Sequence, residues 1–394
     1  MKNSKLIVVI LAVITALESL SIDLYLPAFT QIAQTFHVTI GDVQISLSLF
    51  LAGFAFGQLF WGPLSDKHGR KPILLCGLTM FVVSAVVIHF VKYIELLWVL
   101  RFLQAFGGCA GIVMSRAIVA DSFEKKDAIK IFSSQSQISG IAPIIAPLLG
   151  SLLLNFWGWK SIFSAITLLG TLCIIAVSVY IPETNISKNN IDKGFGTSLT
   201  KVTFSNKQFL IYTMVGSMAY SALMLYISSA PFIFMEKAGF KEMEFSLAFG
   251  FNSLALIFAS YITPKLLVYV RSQVLAFWAS IALALCCAMF GLVAVTGTNP
   301  SAMILLLFLS LIPIGILFPI TTALGLETVE KGKGTAAAFI GFIQLLLSFM
   351  LSTLAGILQS DSVAPMASLR CFVGVVAIFL AYKGLSRTKN FRYL

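Results

Sequence analysis

Gly62-Pro63-Leu64-Ser65-Asp66-Lys67-His68-Gly69-Arg70-Lys71-Pro72 is a short charged segment set between two apolar runs, Val43 to Trp61 and Ile73 to Val91. Each run offers about 20 mostly apolar residues, the length that a hydrocarbon layer of roughly 30 Å demands of a helix. The segment therefore reads as a turn between two membrane-spanning helices. Its clustered cations, Lys67, Arg70 and Lys71, place that turn on the cytoplasmic side by the positive-inside rule.

The rest of the chain agrees with a polytopic membrane protein. Of its 394 residues, 58% are hydrophobic and only 11% charged, with 34 Phe, a composition foreign to water-soluble domains. The net charge of +11 does not point to nucleic acid, because the cations sit in short loops and not on one basic face with interleaved aromatics. Cys76, Cys109, Cys173, Cys286, Cys287 and Cys371 all fall inside apolar runs without a C-x-x-C pair, so they read as small core residues, neither disulfides nor zinc ligands. His37, His68 and His89 are scattered and form no catalytic or metal group. No cofactor is expected. Lys2 and Lys5 precede a long apolar run with no small-residue cleavage site, so the first span is expected to stay as an anchor.

Cutting the chain at its charged and Gly/Pro-rich interruptions gives spans at 6–33, 43–62, 73–91, 94–119, 128–154 and 160–181. A second set lies at 208–235, 245–268, 273–296, 300–326, 335–359 and 365–386. The expected fold class is an all-α polytopic membrane protein with twelve transmembrane helices. Its parts are an N-terminal set over 1–181, a polar cytoplasmic linker over 182–207 and a C-terminal set over 208–394. With both termini cytoplasmic, inner segments and helix ends hold 21 of the 27 Lys and Arg. The outer segments hold Lys92, Lys160, Lys237, Lys241 and Arg370, and Arg101 is intramembrane. The Asn185-Ile186-Ser187 sequon falls in the linker and should be inert there. Sliding the chain by about 201 residues pairs Leu24-Tyr25 with Leu225-Tyr226, Phe50 with Phe251, Pro63 with Pro264 and Arg70 with Arg271, which suggests an internal repeat.

Charge within a span costs roughly 2.5 to 3.5 kcal/mol, so each such residue is a candidate for function. Glu18, Asp23, Arg101 and Arg116 qualify. An acid that meets an arginine inside the membrane can bind and release a proton as a cavity changes face. Asp23 is the prime candidate, with Pro27 one turn later favouring a bend. Glu18 lies about 140° around the helix from it and cannot point at the same wall. Arg101, always charged, would tune a nearby acid, or else pair with Glu18 or with backbone carbonyls. Gly140, Pro143, Pro147 and Gly150 fall within about an 80° arc of one helix, a smooth face suited to close packing. The seventh span holds Tyr220, Met224 and Tyr226 and no charge until Glu236; such aromatic and thioether side chains can repack around varied apolar ligands.

Three of these segments resemble motifs of the major facilitator superfamily. Gly62, Asp66, Gly69 and Arg70 match motif A. Arg101-Phe102-Leu103-Gln104-Ala105-Phe106-Gly107-Gly108 resembles motif B. Gly140-Ile141-Ala142-Pro143-Ile144-Ile145-Ala146-Pro147-Leu148-Leu149-Gly150 resembles motif C, the mark of the superfamily's antiporters. With Ser21-Ile22-Asp23-Leu24-Tyr25-Leu26-Pro27 and the run from Leu47 to Pro63, the chain looks like the bicyclomycin-resistance (Bcr/CflA) branch of drug:proton antiporters. The resemblance implies two six-helix bundles around a central cavity, in a bacterial inner membrane. It also implies export of a small drug-like substrate driven by the proton gradient, by a monomer whose partners are substrate, protons and lipid. Asp23, Arg101 and Glu18 would couple protons, and Tyr25, Gln104, Tyr220, Met224 and Tyr226 would contact substrate. Asp66 would latch against the start of the eleventh span near Thr335. Glu18 departs from the branch, where an apolar residue is usual, and points to a cationic substrate or altered stoichiometry. A native metabolite or siderophore as cargo remains open, and a polytopic enzyme is disfavoured because no cluster of nucleophiles or metal ligands is visible.

Overall fold

The computed structural model describes residues 4–184, 206–296, 299–329, 333–359 and 362–386. Most of the expected linker, including Asn185-Ile186-Ser187, lies outside them. Among the described residues every regular element is helical: α1 (Ser4–Asp23), α2 (Phe29–Phe36), α3 (Ile40–His68), α4 (Arg70–Val87), α5 (Ile94–Ser122), α6 (Lys125–Trp157) and α7 (Lys160–Tyr180). There follow α8 (Lys207–Pro231), α9 (Glu242–Tyr269), α10 (Ser272–Thr296), α11 (Pro300–Glu327), α12 (Lys333–Leu358) and α13 (Ala364–Ser386). With α1 and α2 taken as one span, twelve helices among the described residues are long and apolar enough to cross a membrane. Helices solve the problem that lipid sets, since every backbone N–H and C=O finds its partner within the segment. Phe90, Phe156, Trp157, Val268, Leu292 and Phe372 stay exposed on the outside of these helices, as a protein solvated by acyl chains allows.

The chain divides into two compact units, Met1–Lys193 and Gly194–Leu394. In the first, α5 packs on α3 and α4, α4 on α7, and α1 on α6. In the second, α8 is surrounded by α11, α12 and α13, while α10 packs on α11 and α13. The repeat is visible inside each unit. Pro63 and Pro264 lie within α3 and α9, Arg70 opens α4, and Arg271 immediately precedes α10.

Three local features differ from the sequence reading. The first span is broken and not merely bent: α1 stops at Asp23, a 3-10 turn covers Leu26–Ala28, and α2 resumes at Phe29. Pro27 has no N–H to give the carbonyl four residues earlier and clashes with it, which weakens the helix at this point; Pro63 and Pro264, by contrast, lie inside continuous helices. The charged segment is also not a long turn. Gly62 to His68 continue α3, whose Gly69 N–H still bonds the Ser65 carbonyl (2.9 Å), and the chain reverses on Gly69 alone. Gly69 has φ of 100°, a region that a side chain resists. Finally, Arg370 is not in an outer segment; it is fully buried within α13.

Candidate functional site

The break in the first span exposes a backbone carbonyl to Arg101. Because the turn tightens there, the Tyr25 N–H donates to the Ile22 carbonyl (3.2 Å), which leaves the Ser21 carbonyl without its helical donor. Arg101, from the neighbouring α5, supplies the replacement: its Nη2 donates to Ser21 O (3.1 Å) and its Nη1 to Gln104 Oε1 (2.8 Å). The guanidinium is fully buried between the Tyr25 and Phe50 rings, 4.5 and 4.2 Å from their centres. A fixed cation thus sits at the C-terminal end of α1, where the helix dipole favours it. Of the alternatives read from sequence, the backbone carbonyl is the partner found; among the described residues Arg101 forms no ion pair.

Asp23 is the last residue of α1 and only 3% exposed, and its side chain makes no hydrogen bond or ion pair with a described residue. Glu18 is half-buried and likewise lacks one, while Arg116 is exposed. An acid enclosed without a fixed partner is costly in a membrane and is the kind of group kept for exchange with solvent or ligand.

α6 leans directly on this break. Gly150 faces Leu24, and a Cβ built there would collide with the Leu24 carbonyl. Pro147 is buried beside it, Pro143 is half-buried, and Ser151 Oγ donates to the Pro147 carbonyl (2.8 Å). Gly140, three turns away, is exposed with nothing within 4 Å of its Cβ position. The two glycines should therefore behave oppositely. Gly150→Ala should lower stability by about 1 to 3 kcal/mol and impair transport, because backbone must shift. Gly140→Ala should leave thermal unfolding unchanged; equal losses in the two variants would refute this division.

The α3–α4 corner is a charge network. Arg70 pairs with Asp66, donates from Nη1 to Ser65 Oγ (2.6 Å) and from Nε to Asp121 Oδ2 (3.2 Å). Glu183, just beyond α7, caps the start of α4 by accepting from the Arg70 N–H (2.9 Å) and the Lys71 N–H (3.2 Å). A carboxylate at a helix N-terminus meets unpaired donors and the positive end of the dipole. Asp121 and Glu183 were not singled out in the sequence. Their separations of 51 and 113 residues from Arg70 leave no local signal. Removing this cap by Glu183→Ala should destabilise the protein by roughly 0.5 to 2 kcal/mol in thermal unfolding, and Glu183→Gln by less.

The substrate candidates divide by exposure. Tyr25 is fully buried, its hydroxyl 2.8 Å from Ser46 Oγ and its ring edge-on to Phe29 and Phe163. Tyr226, its repeat mate, is equally enclosed, accepting from Asn252 Nδ2 (3.1 Å) and stacked on Phe249. Gln104 and Met224 are buried too. Tyr220 borders a cavity of about 280 Å³, lined also by Leu223, Leu256, Ser260, Phe318 and Pro319. Among the described residues no group of His, Cys, Asp and Glu could hold a metal ion.

Comparison with known proteins fits this architecture. Residues 11–381 match the family model described as Major Facilitator Superfamily. The chain is 32% identical to the MFS-type transporter YdgK of Bacillus subtilis over 96% of its own length and 95% of the relative's. It is 28% identical to a bicyclomycin resistance protein homolog of Haemophilus influenzae, with 99% of each chain covered. Against the chloramphenicol resistance protein CraA of Acinetobacter baumannii it is 30% identical, covering 83% and 79%. Among solved structures, a D-xylose-proton symporter superposes with a TM-score of 0.79 at 13% identity, covering 95% of this chain and 97% of the other, a likeness of fold alone.

Proposed function

We propose, because this chain belongs to the major facilitator superfamily, that it exports small amphipathic compounds across a bacterial inner membrane by alternating access, driven by protons moving the other way. The chain is a multi-pass membrane transporter and not an enzyme. The orientation we propose keeps both termini cytoplasmic, with most of the Lys and Arg in inner segments. Relatives named for resistance to bicyclomycin and chloramphenicol support antibiotic-like cargo. The cavity beside Tyr220, mostly apolar with the hydroxyl-bearing Tyr220 and Ser260 in its lining, is near the lower size of small-molecule sites, about 300 Å³.

The observation that carries the reading is Asp23: an enclosed carboxyl with no hydrogen bond or ion pair to a described residue, at a break in a spanning helix, two residues after the Ser21 carbonyl that Arg101 holds. A carboxyl placed so can trade its proton with water arriving from either face, while Arg101 keeps the break in shape. Gly150 presses α6 on the same point, so movement of one helix is felt by the other.

The test is transport by purified protein in vesicles under an imposed proton gradient, with chloramphenicol and bicyclomycin as probes. Accumulation should follow the gradient and vanish when a protonophore dissipates it. Accumulation indifferent to the gradient would sink the proton-driven reading.

A further inference from the structure

α6 and α7 both pack on α1, and between the two runs a groove of about 330 Å³ with α1 as its floor. Its deep side is made by Leu17, Leu24 and Ile166, all buried, and its rims by Leu149, Leu168 and Leu172, all exposed. The lining residues recur every three or four positions along each helix, so they form ridges and the groove runs lengthwise between them. From Leu17 to Leu24 it extends for about 10 Å at 1.5 Å per residue. On α6 the row of Leu149 and Leu153 continues one turn further to Trp157, which ends the helix and is exposed together with Phe156.

Every residue of the lining is aliphatic. Such a surface gives water no hydrogen-bond partner, and a drug-like molecule would leave its polar groups unpaired against it. An acyl chain has no polar group to satisfy. Leu168, Leu172, Ile175 and Val179 make one exposed apolar stripe down α7, the face that a spanning helix turns to lipid, so the groove opens on hydrocarbon. Chains in that layer run along the same direction as the groove. Trp157 stands at the end of α6, the level at which indole rings meet the headgroups. A chain moving in from the bilayer gains nothing from the hydrophobic effect, since it leaves one apolar medium for another; it gains close packing on three sides. Leu24 ties the groove to the break in the first span, because its carbonyl meets Gly150 while the same residue walls the deep side.

We propose that this groove is a binding site for one acyl chain of a bilayer phospholipid, taken from the leaflet on the Trp157 side, with the glycerol level with Trp157 and the chain lying against Leu17 to Leu24. The bound chain supports α1 behind the contact of Leu24 with Gly150, so the packing of the break depends on lipid. Such a site requires the membrane-spanning fold but neither proton coupling nor a particular cargo, and it stands or falls apart from the transport reading.

The full-length protein, in nanodiscs of phosphatidylethanolamine and phosphatidylglycerol without a proton gradient, is irradiated with a phosphatidylethanolamine that carries a diazirine midway along one chain, and labelled residues are mapped by mass spectrometry. Label should concentrate on the groove residues, on the order of fivefold above Val83 and Val86 of the exposed α4 face, because a chain held on three sides makes many more close contacts than one on an open face. Ala165→Phe, which fills the groove from its own lining, should bring labelling down to the α4 level. Added to delipidated protein in detergent, phosphatidylethanolamine should raise the unfolding midpoint of the parent by more than that of Ala165→Phe, because only the parent can seat the chain. Leu168→Trp, built on the exposed rim, should obstruct the groove in the same sense and serves where Ala165→Phe does not fold. Equal labelling of the groove and of α4 would overturn the proposal. So would enrichment that survives either replacement, lipid stabilisation identical in parent and filled variant, or enrichment displaced by chloramphenicol or bicyclomycin, which would make the groove a route for cargo.

Discussion

Asp23→Asn is expected to abolish proton-driven export while leaving the protein inserted, folded and at least as stable as before. Asparagine keeps the shape of the aspartate but cannot exchange a proton at physiological pH. Asp23 makes no hydrogen bond or ion pair with a described residue, so the amide breaks no contact, and relieving a buried acid should hold or raise the unfolding midpoint. That combination separates a coupling acid from a structural one, whose loss would lower stability along with transport. Vesicles carrying the variant should still exchange labelled for unlabelled substrate down its gradient, yet fail to concentrate it under an imposed proton gradient. Concentrative transport by Asp23→Asn would show that the coupling group lies elsewhere. Glu18, half-buried on the same helix, would then be next.

What the sequence disclosed was whatever its neighbours in the chain decide. The twelve spans follow from runs of apolar residues, and the weak point of the first span follows from Pro27 standing four residues after Asp23. Motif C was legible as a smooth face, but not what it faces: the contact of Gly150 with Leu24 joins segments 126 residues apart. Enclosure was least legible. Tyr25 and Tyr226 read as cavity aromatics, yet each is walled in by side chains from other helices of its own unit, Phe163 in one case and Phe249 with Asn252 in the other. Arg370 was counted with the outer cations because a basic residue near a helix start usually reaches water. The close approach of α13 to α10 at Gly374 and Ala284, and the bond from Arg370 to Ser310 on α11, enclose it instead. The corner at Gly69 shows the same limit, since Glu183 closes it from the far side of four helices.

Arg101 should prove nearly irreplaceable, and for a reason of shape as much as of charge. A planar fork lets one side chain donate to Ser21 O and Gln104 Oε1 together while lying between the Tyr25 and Phe50 rings. Lysine carries the same charge as a single ammonium and cannot serve both acceptors in that slot. Hydrogen bonds to a charged group contribute about 1.5 to 3 kcal/mol each, so Arg101→Ala, which forfeits both and leaves the freed Ser21 carbonyl facing apolar side chains, should cost on the order of 3 kcal/mol or more. Arg101→Lys should lose one of the two bonds and fall between. Thermal unfolding measures this directly, and transport should fall in the same order, since the arginine holds the break that presents Asp23. A double replacement sharpens the test. If Arg101 acts through Gln104 as well as through Ser21, removing Gln104 after Arg101 should cost far less than removing it alone. Additive losses, or a lysine variant as stable and active as the parent, would mean that the cation is needed only for its charge and that the cap on α1 is incidental.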